Sequence, residues 1–170
     1  GSEMCIRDSY NDTLFTITQE TLEPRYIFQM GKYSLPIECR FEYLNGDGKR
    51  FQEVAAPYIQ YNTIETDSYI FMPYSNWAGE KAQEKQMAIY DKKAKNCFKV
   101  STGHIKNDLT PGLPLRPITA LDSHTLLYVW EAPELLEKAE KTPSILQIEP
   151  LKGLKEDDNP VMMIVYLKQP

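Results

Sequence analysis

The sequence predicts an all-β fold with minor helical insertions, assembled from repeated antiparallel strand units. Three observations carry that expectation. Eleven Tyr dominate the aromatics and twelve Pro outnumber eight Gly, a mix that suits strands joined by rigid turns better than helical bundles. Several segments alternate apolar and polar residues with period 2, the pattern of a half-buried strand. A nine-residue pattern also recurs at an offset of 55 residues, as repeated supersecondary units do.

Composition sets the outer limits. The 170 residues are 42% apolar and 25% charged, enough apolar material for one core and unlike the signature of disorder. A formal charge of −5 argues against a nucleic-acid partner, which needs cationic side chains gathered on one surface. No apolar run approaches the roughly 20 residues of a membrane helix. Gly1-Ser2 reads as a cloning scar, and Met4-Cys5-Ile6-Arg7-Asp8-Ser9 resembles a translated sequencing-adaptor fragment. Residues 1–9 are therefore set aside and 10–170 taken as the domain, with any signal peptide or lipid-attachment Cys lost upstream.

Asn11 to Thr18 alternates and is read as a strand; Arg25 to Met30 is a second, closed by Gly31, and the two make a hairpin. From Lys32 to Pro57 the spacing turns helical at Ile37 to Leu44 and Arg50 to Ala56, broken by Asn45-Gly46-Asp47-Gly48, a strong turn signal. This is an inserted helical excursion. Strands resume at Tyr58 to Glu65 and Ser68 to Tyr74, turning at Thr66-Asp67. Ser75 to Lys85 is expected as a long surface loop, followed by a hairpin of Gln86 to Asp91 and Asn96 to Val100. Four consecutive strands are the content of one propeller blade.

Ser101 to Pro114 is a loop by its Gly and Pro content. Leu115 to Leu121 and Thr125 to Trp130 form a further strand pair, Ala132 to Lys141 a helix with Leu135, Leu136 and Ala139 on one side, and Leu146 to Leu154 a second helix around Pro150, within a helical segment spanning 132–154. Pro160 to Lys168 is a continuous apolar run, expected as a strand buried on both faces. The repeat aligns Ile64 to Met72 with Thr119 to Leu127, placing Asp67-Ser68 over Asp122-Ser123. Equivalent Asp residues at two turns suit Asx-type bonding to the backbone.

Few residues offer chemistry. Cys39 and Cys97 match no zinc or redox spacing and are expected as two buried thiols. His104 and His124 sit in loops without metal-ligand spacing. Asn45 to Gly48 and Glu156 to Asn159 carry oxygen ligands but match no EF-hand loop and read as turns. No metal and no cofactor is expected. Tyr58, Tyr61, Tyr69, Tyr74, Trp77 and Trp130 supply flat faces suited to sugars or a protein partner. Trp77, Tyr74 and Trp130 are the candidate ligand-binding residues, Trp77 foremost because Ser75-Asn76-Trp77-Ala78-Gly79 lies in a polar segment.

Six segments together resemble one family: Asn11 to Phe15, Phe28 to Pro36, Asn62 to Asp67, Ile89 to Lys93, Ile105 to Leu109 and Asp158 to Ile164. In order and spacing they are similar to the C-terminal part of the six-bladed β-propeller proteins of Bacteroidetes. The resemblance implies a partial β-propeller of about two to two and a half four-stranded blades. It also implies an exported protein, periplasmic or an outer-membrane lipoprotein, in a family of unknown function with no catalytic residue to carry over. An incomplete ring leaves open ends, so the expectation is that the chain either packs as an open arc or self-associates to cover them. The expected role is a non-catalytic binding or scaffolding module of the cell envelope that engages a protein or glycan partner. The alternative is a glycan-active or lactonase-like propeller enzyme whose site needs further blades.

Overall fold

Two threonines close the first hairpin. Thr18 N–H donates to Thr21 O at 2.9 Å, and Thr18 Oγ1 accepts the N–H groups of Glu20 and Thr21. The turn is therefore complete in four residues, so β3 begins at Leu22, earlier than the expected Arg25. The computed structural model describes residues 4–6, 12–44, 46, 48–77, 86–107, 110 and 112–168. They fall in two units, one within Gly1–Tyr61 and Tyr74–Glu84, the other within Asn62–Pro73 and Lys85–Pro170.

In the first unit β1 (Met4–Ile6), β2 (Thr13–Ile17) and β3 (Leu22–Ile27) form an antiparallel sheet in chain order. Met4–Ile6, the described part of the segment set aside as adaptor-like, thus runs as a strand, with Cys5 opposite Thr16. Pro24 lacks an N–H and is tolerated because β3 is an edge. The excursion is helical as expected, with α1 (Cys39–Leu44) and α2 (Gly48–Ala55). Leu35, Cys39, Phe51 and Ala55 form its buried core, and Val54, Tyr58 and Trp77 pack against it. Asp12 ties this unit together, accepting hydrogen bonds from Ser34 Oγ and Tyr61 OH.

The expected strand Tyr58 to Glu65 is two pieces, β4 (Ile59–Tyr61) and β5 (Ile64–Glu65). Between them Asn62 Oδ1 accepts the Thr63 N–H at 2.9 Å, a local bond that competes with the ladder. Strand β6 (Tyr69–Asn76) pairs its Tyr74–Asn76 end with β4 and its Ile70-Phe71 stretch with β5. The polar segment expected as loop from Ser75 is therefore strand as far as Asn76; residues 78–85 lie outside the described residues.

In the second unit the sheet continues from β6 to β7 (Gln86–Asp91) and β8 (Asn96–Val100). A second sheet runs β11 (Val161–Tyr166), β10 (Thr125–Trp130), β9 (Thr119–Ala120). Ile64, Phe71, Met87 and Ile89 from the first sheet and Leu126 from the second share one core cluster, with Ala120 and Val165 packed on it. Two antiparallel sheets thus meet face to face. Beside them α3 (Ala132–Lys141) buries Leu135 and Ala139 against Trp130, Ile145 and Leu151. Glu134 in its first turn and Lys138 and Lys141 in its last complement the helix dipole.

Four expectations need correction here. Leu115 to Leu121 is strand only at Thr119–Ala120, because Pro114 and Pro117 cannot donate to a ladder; Leu115 makes a single bridge to Ile105. Leu146 to Leu154 is no α-helix but lies in 3-10 turns at Pro143–Gln147 and Glu149–Leu151, since Pro150 has no N–H to continue one. Cys39 is buried but Cys97 is exposed on edge strand β8; both thiols are free. Finally, β11 is buried on one face only.

Candidate functional site

The three aromatic candidates differ sharply in setting. Trp77 follows β6 and stands edge-on to Phe51 of α2, with ring centroids 5.4 Å apart and planes at 81°. It is half-buried against the core of the helical excursion rather than free in a polar loop. Tyr74, three residues earlier on β6, lies opposite Tyr61 in the β4 pairing and is also half-buried. Trp130, at the end of β10 in the second unit, is only 2% exposed and packs edge-on to Tyr128 at 4.9 Å. The indole Nε1 atoms of both Trp77 and Trp130 are out of water and meet no acceptor among the described residues.

Tyr128 sits between opposing influences. Burial pushes its phenol above the ordinary tyrosine range, Glu134 pushes the same way, and Arg116 pulls it back. Arg116 Nε is itself buried without an acceptor among the described residues.

The charged groups are largely spent on turns. Asp122 Oδ1 accepts the His124 N–H at 2.7 Å and Oδ2 the Thr125 hydroxyl at 2.9 Å. These bonds hold its carboxyl below the usual carboxylate range, the His124 backbone bond most strongly. At the other repeat turn Thr66 Oγ1 accepts the Tyr69 N–H at 3.1 Å, and Asp67 reaches across instead: its N–H donates to Ser123 O at 2.9 Å and its carboxylate stands 3.5 Å from His124 Nε2. Asx bonding holds for Asp122, whereas Thr66 does that work in the first copy. The His124–Asp67 pair is solvated, with side chains 36% and 64% exposed, so neither group is desolvated as acid–base work favours. Lys92 Nζ meets Glu65 Oε1 and Thr66 O at 2.5 Å, joining the β7–β8 turn to the β5–β6 turn. Asp158 accepts the Lys155 N–H at 2.7 Å, a turn role for the oxygen-rich segment Glu156 to Asn159. Asn45 and Asp47 lie outside the described residues. No group of three or more His, Cys, Asp or Glu among the described residues is arranged to hold a metal.

What the charged groups leave over is apolar. On the helical excursion Tyr33, Ile37 and Phe41 are 47%, 50% and 61% exposed, and Lys32 lies over the Tyr33 ring at 5.1 Å. On β11, Met162, Ile164 and Tyr166 all face water. Sequence reasoning missed both sets. The signal for the first was Ile37 and Phe41 at i, i+4 around inward-facing Cys39; for β11 it was hidden, because both faces are apolar.

Residues 1–166 match the family described as Domain of unknown function (DUF4934). No curated protein matches the chain. Among solved structures, a crystal structure of a protein described as exported, from Bacteroides fragilis NCTC 9343, is similar with a TM-score of 0.69 at 15% identity. The likeness covers 99% of this chain and 48% of that one, so the chain spans about half the length of the solved protein it matches. At that identity the likeness speaks for the fold alone. No helix among the described residues is long and apolar enough to cross a membrane.

Proposed function

We propose that this chain, which belongs to the DUF4934 family of domains of unknown function, is a non-catalytic binding or scaffolding module of the bacterial cell envelope. The exported description of its structural neighbour supports the compartment. A periplasmic or outer-membrane lipoprotein location is the finer form of that reading. The repeated strand pairs β5–β6 and β9–β10, each within a sheet of antiparallel strands, support a partial β-propeller whose sheets are successive blades.

The observation that carries the binding role is the helical excursion. It has its own core, yet it turns Tyr33, Ile37 and Phe41 to water. Large apolar groups clustered within nine residues on an insertion are typical anchors of a partner surface. An exposed Ile37 in the same stretch as the aromatics favours a protein partner over a glycan, since sugars stack on flat rings and gain little from an aliphatic branch. Trp77 and Tyr74 act in this reading as the brace and flank of the excursion.

The test is binding of the purified protein to envelope proteins of its host, with a glycan array in parallel. Phe41→Ser and Ile37→Ser each weaken a protein complex about tenfold or more, as loss of an interface anchor does. Unchanged affinity in both variants rules out this surface, and a glycan signal lost on Trp77→Ala returns the site to the aromatic pair.

A further inference from the structure

We infer that His104, Arg116, Tyr128 and Trp130 form a binding site for a carboxylate, carried on an acidic sugar or a small organic acid. The site lies in the second unit and is independent of the apolar surface on the helical excursion.

Chain pairing brings the four residues together. Ile105 and Leu115 exchange both backbone hydrogen bonds at 3.0 Å as an isolated antiparallel bridge. The next pair outward along it is His104 and Arg116, and a directly opposed antiparallel pair carries its side chains on one face. Two residues on, Ile118 N–H donates to Leu127 O at 2.9 Å, which lays the Arg116 stretch along β10. There Tyr128 and Trp130 share the inner face and meet edge-on at 4.9 Å. Electrostatics agree with that placement: burial and then Glu134 raise the Tyr128 phenol, and Arg116 lowers it, so both charges lie near the hydroxyl.

What this cluster holds in excess is donors. His104 Nδ1, Arg116 Nε and Trp130 Nε1 are out of water and meet no hydrogen-bond partner among the described residues. A fourth such atom among the described residues, Trp77 Nε1, lies in the first unit. Buried polar groups are paired with few exceptions, so three exceptions along one stretch call for an acceptor. Trp130 can only donate, Arg116 donates through a fixed fork and keeps its charge, and His104 adds a third donor in its Nδ1–H tautomer. No described carboxylate pairs with the Arg116 guanidinium. The missing partner is therefore an oxyanion. Its charge follows from Glu134, because one guanidinium matches a monoanion, whereas a phosphate dianion meets the Glu134 carboxylate with double the repulsion. A carboxylate also offers the fork two coplanar oxygens. Arg116 and Tyr128 are half-buried, which leaves the site reachable from solvent.

The chain's two tryptophans supply the readout. Indole N–H resonances of the isotope-labelled protein are followed as sodium acetate, sodium glucuronate, inorganic phosphate or glucose is added, with Trp77→Phe assigning the pair. The Trp130 signal is expected to move saturably with both carboxylates, more weakly with phosphate and not with glucose, while the Trp77 signal stays. Glucuronate bound about tenfold tighter than acetate or more identifies an acidic sugar as the source, and any smaller preference a small organic acid. Arg116→Gln is expected to weaken carboxylate binding about tenfold or more, and Tyr128→Phe, which keeps the ring contact to Trp130, about threefold. The same spectra report whether each variant is folded. No movement of the Trp130 signal with either carboxylate overturns the inference and leaves water as the partner of these donors. Phosphate bound more tightly than both carboxylates, glucose bound as tightly as glucuronate, or unchanged affinity in the folded variants overturns it as well.

Discussion

The Tyr61 hydroxyl donates to Asp12 Oδ1 at 3.1 Å, closing a contact between residues 49 positions apart. Ser34 Oγ donates to the other carboxylate oxygen. One acid therefore fastens the first hairpin, the start of the helical excursion and β4. Tyr61 also stacks edge-on with Phe28 at 5.6 Å, so its ring is held when the hydroxyl is removed. Tyr61→Phe is expected to cost about 1.5 kcal/mol in urea unfolding, the lower end of the net worth of a hydrogen bond to a charged group, and Asp12→Ala about 3 kcal/mol. A smaller loss for Asp12→Ala than for Tyr61→Phe excludes the shared-acceptor arrangement.

Asp122 makes stability depend on acid. Its folded-state carboxyl is held below the ordinary value of 3.8 by the His124 and Thr125 bonds. A lowered carboxyl contributes stability that is complete above the unfolded value and is lost as pH falls through the folded one. Wild type is therefore expected to exceed Asp122→Asn in thermal midpoint at pH 6, with the gap closing below about pH 3.8. A gap that stays constant from pH 6 to pH 2 assigns the difference to geometry alone.

Gly112 sits at φ +90°, and a Cβ there would lie 3.0 Å from Thr142 Cγ2. Both the backbone and the neighbour oppose a side chain. Gly112→Ala is expected to destabilise by about 2 kcal/mol, from strain at positive φ and crowding. Adding Thr142→Ser removes the methyl and restores part of the loss. No recovery in the double variant leaves backbone strain as the whole cause.

Trp77 is a brace by its contact with Phe51. Trp77→Ala is expected to lower stability by about 2 kcal/mol, less than a fully buried Trp would cost, and Trp77→Phe by under about 1 kcal/mol because the ring contact persists. Unchanged unfolding in both variants makes Trp77 a surface group whose value lies in a ligand.

Much of this was legible from local pattern. Ala132 to Lys141 matches α3 residue for residue, because its apolar spacing and its Pro at the first turn act within the segment. α1 ends at Leu44 and α2 begins at Gly48, one on each side of the expected break, whose Asn45 and Asp47 lie outside the described residues. The repeat is real but shifted: Ile64 pairs Phe71, while Thr119 pairs Leu127, so the second turn is one residue longer. That extra residue explains why Asp122 can reach back to its own turn and Asp67 cannot be its copy. Trp77 was not legible, since its polar neighbours in sequence say nothing of the helix brought against it from residues 48–55. For β11 the apolar run signalled burial on both faces, and the described residues supply only one.

Val161 to Tyr166 has a consequence for how copies of the chain meet, because β11 is an edge strand paired with β10 alone among the described residues. Six uncharged residues of high β-propensity, without Pro or Gly, are the composition that stacks into cross-β ribbons. While this edge stands open, copies meeting there add strand to strand without a closing geometry. Lys168 is the nearest charge on the C-terminal side and Asp158 the nearest on the N-terminal side, with Pro160 directly before the strand, so these flanking residues act as gatekeepers against fibre growth.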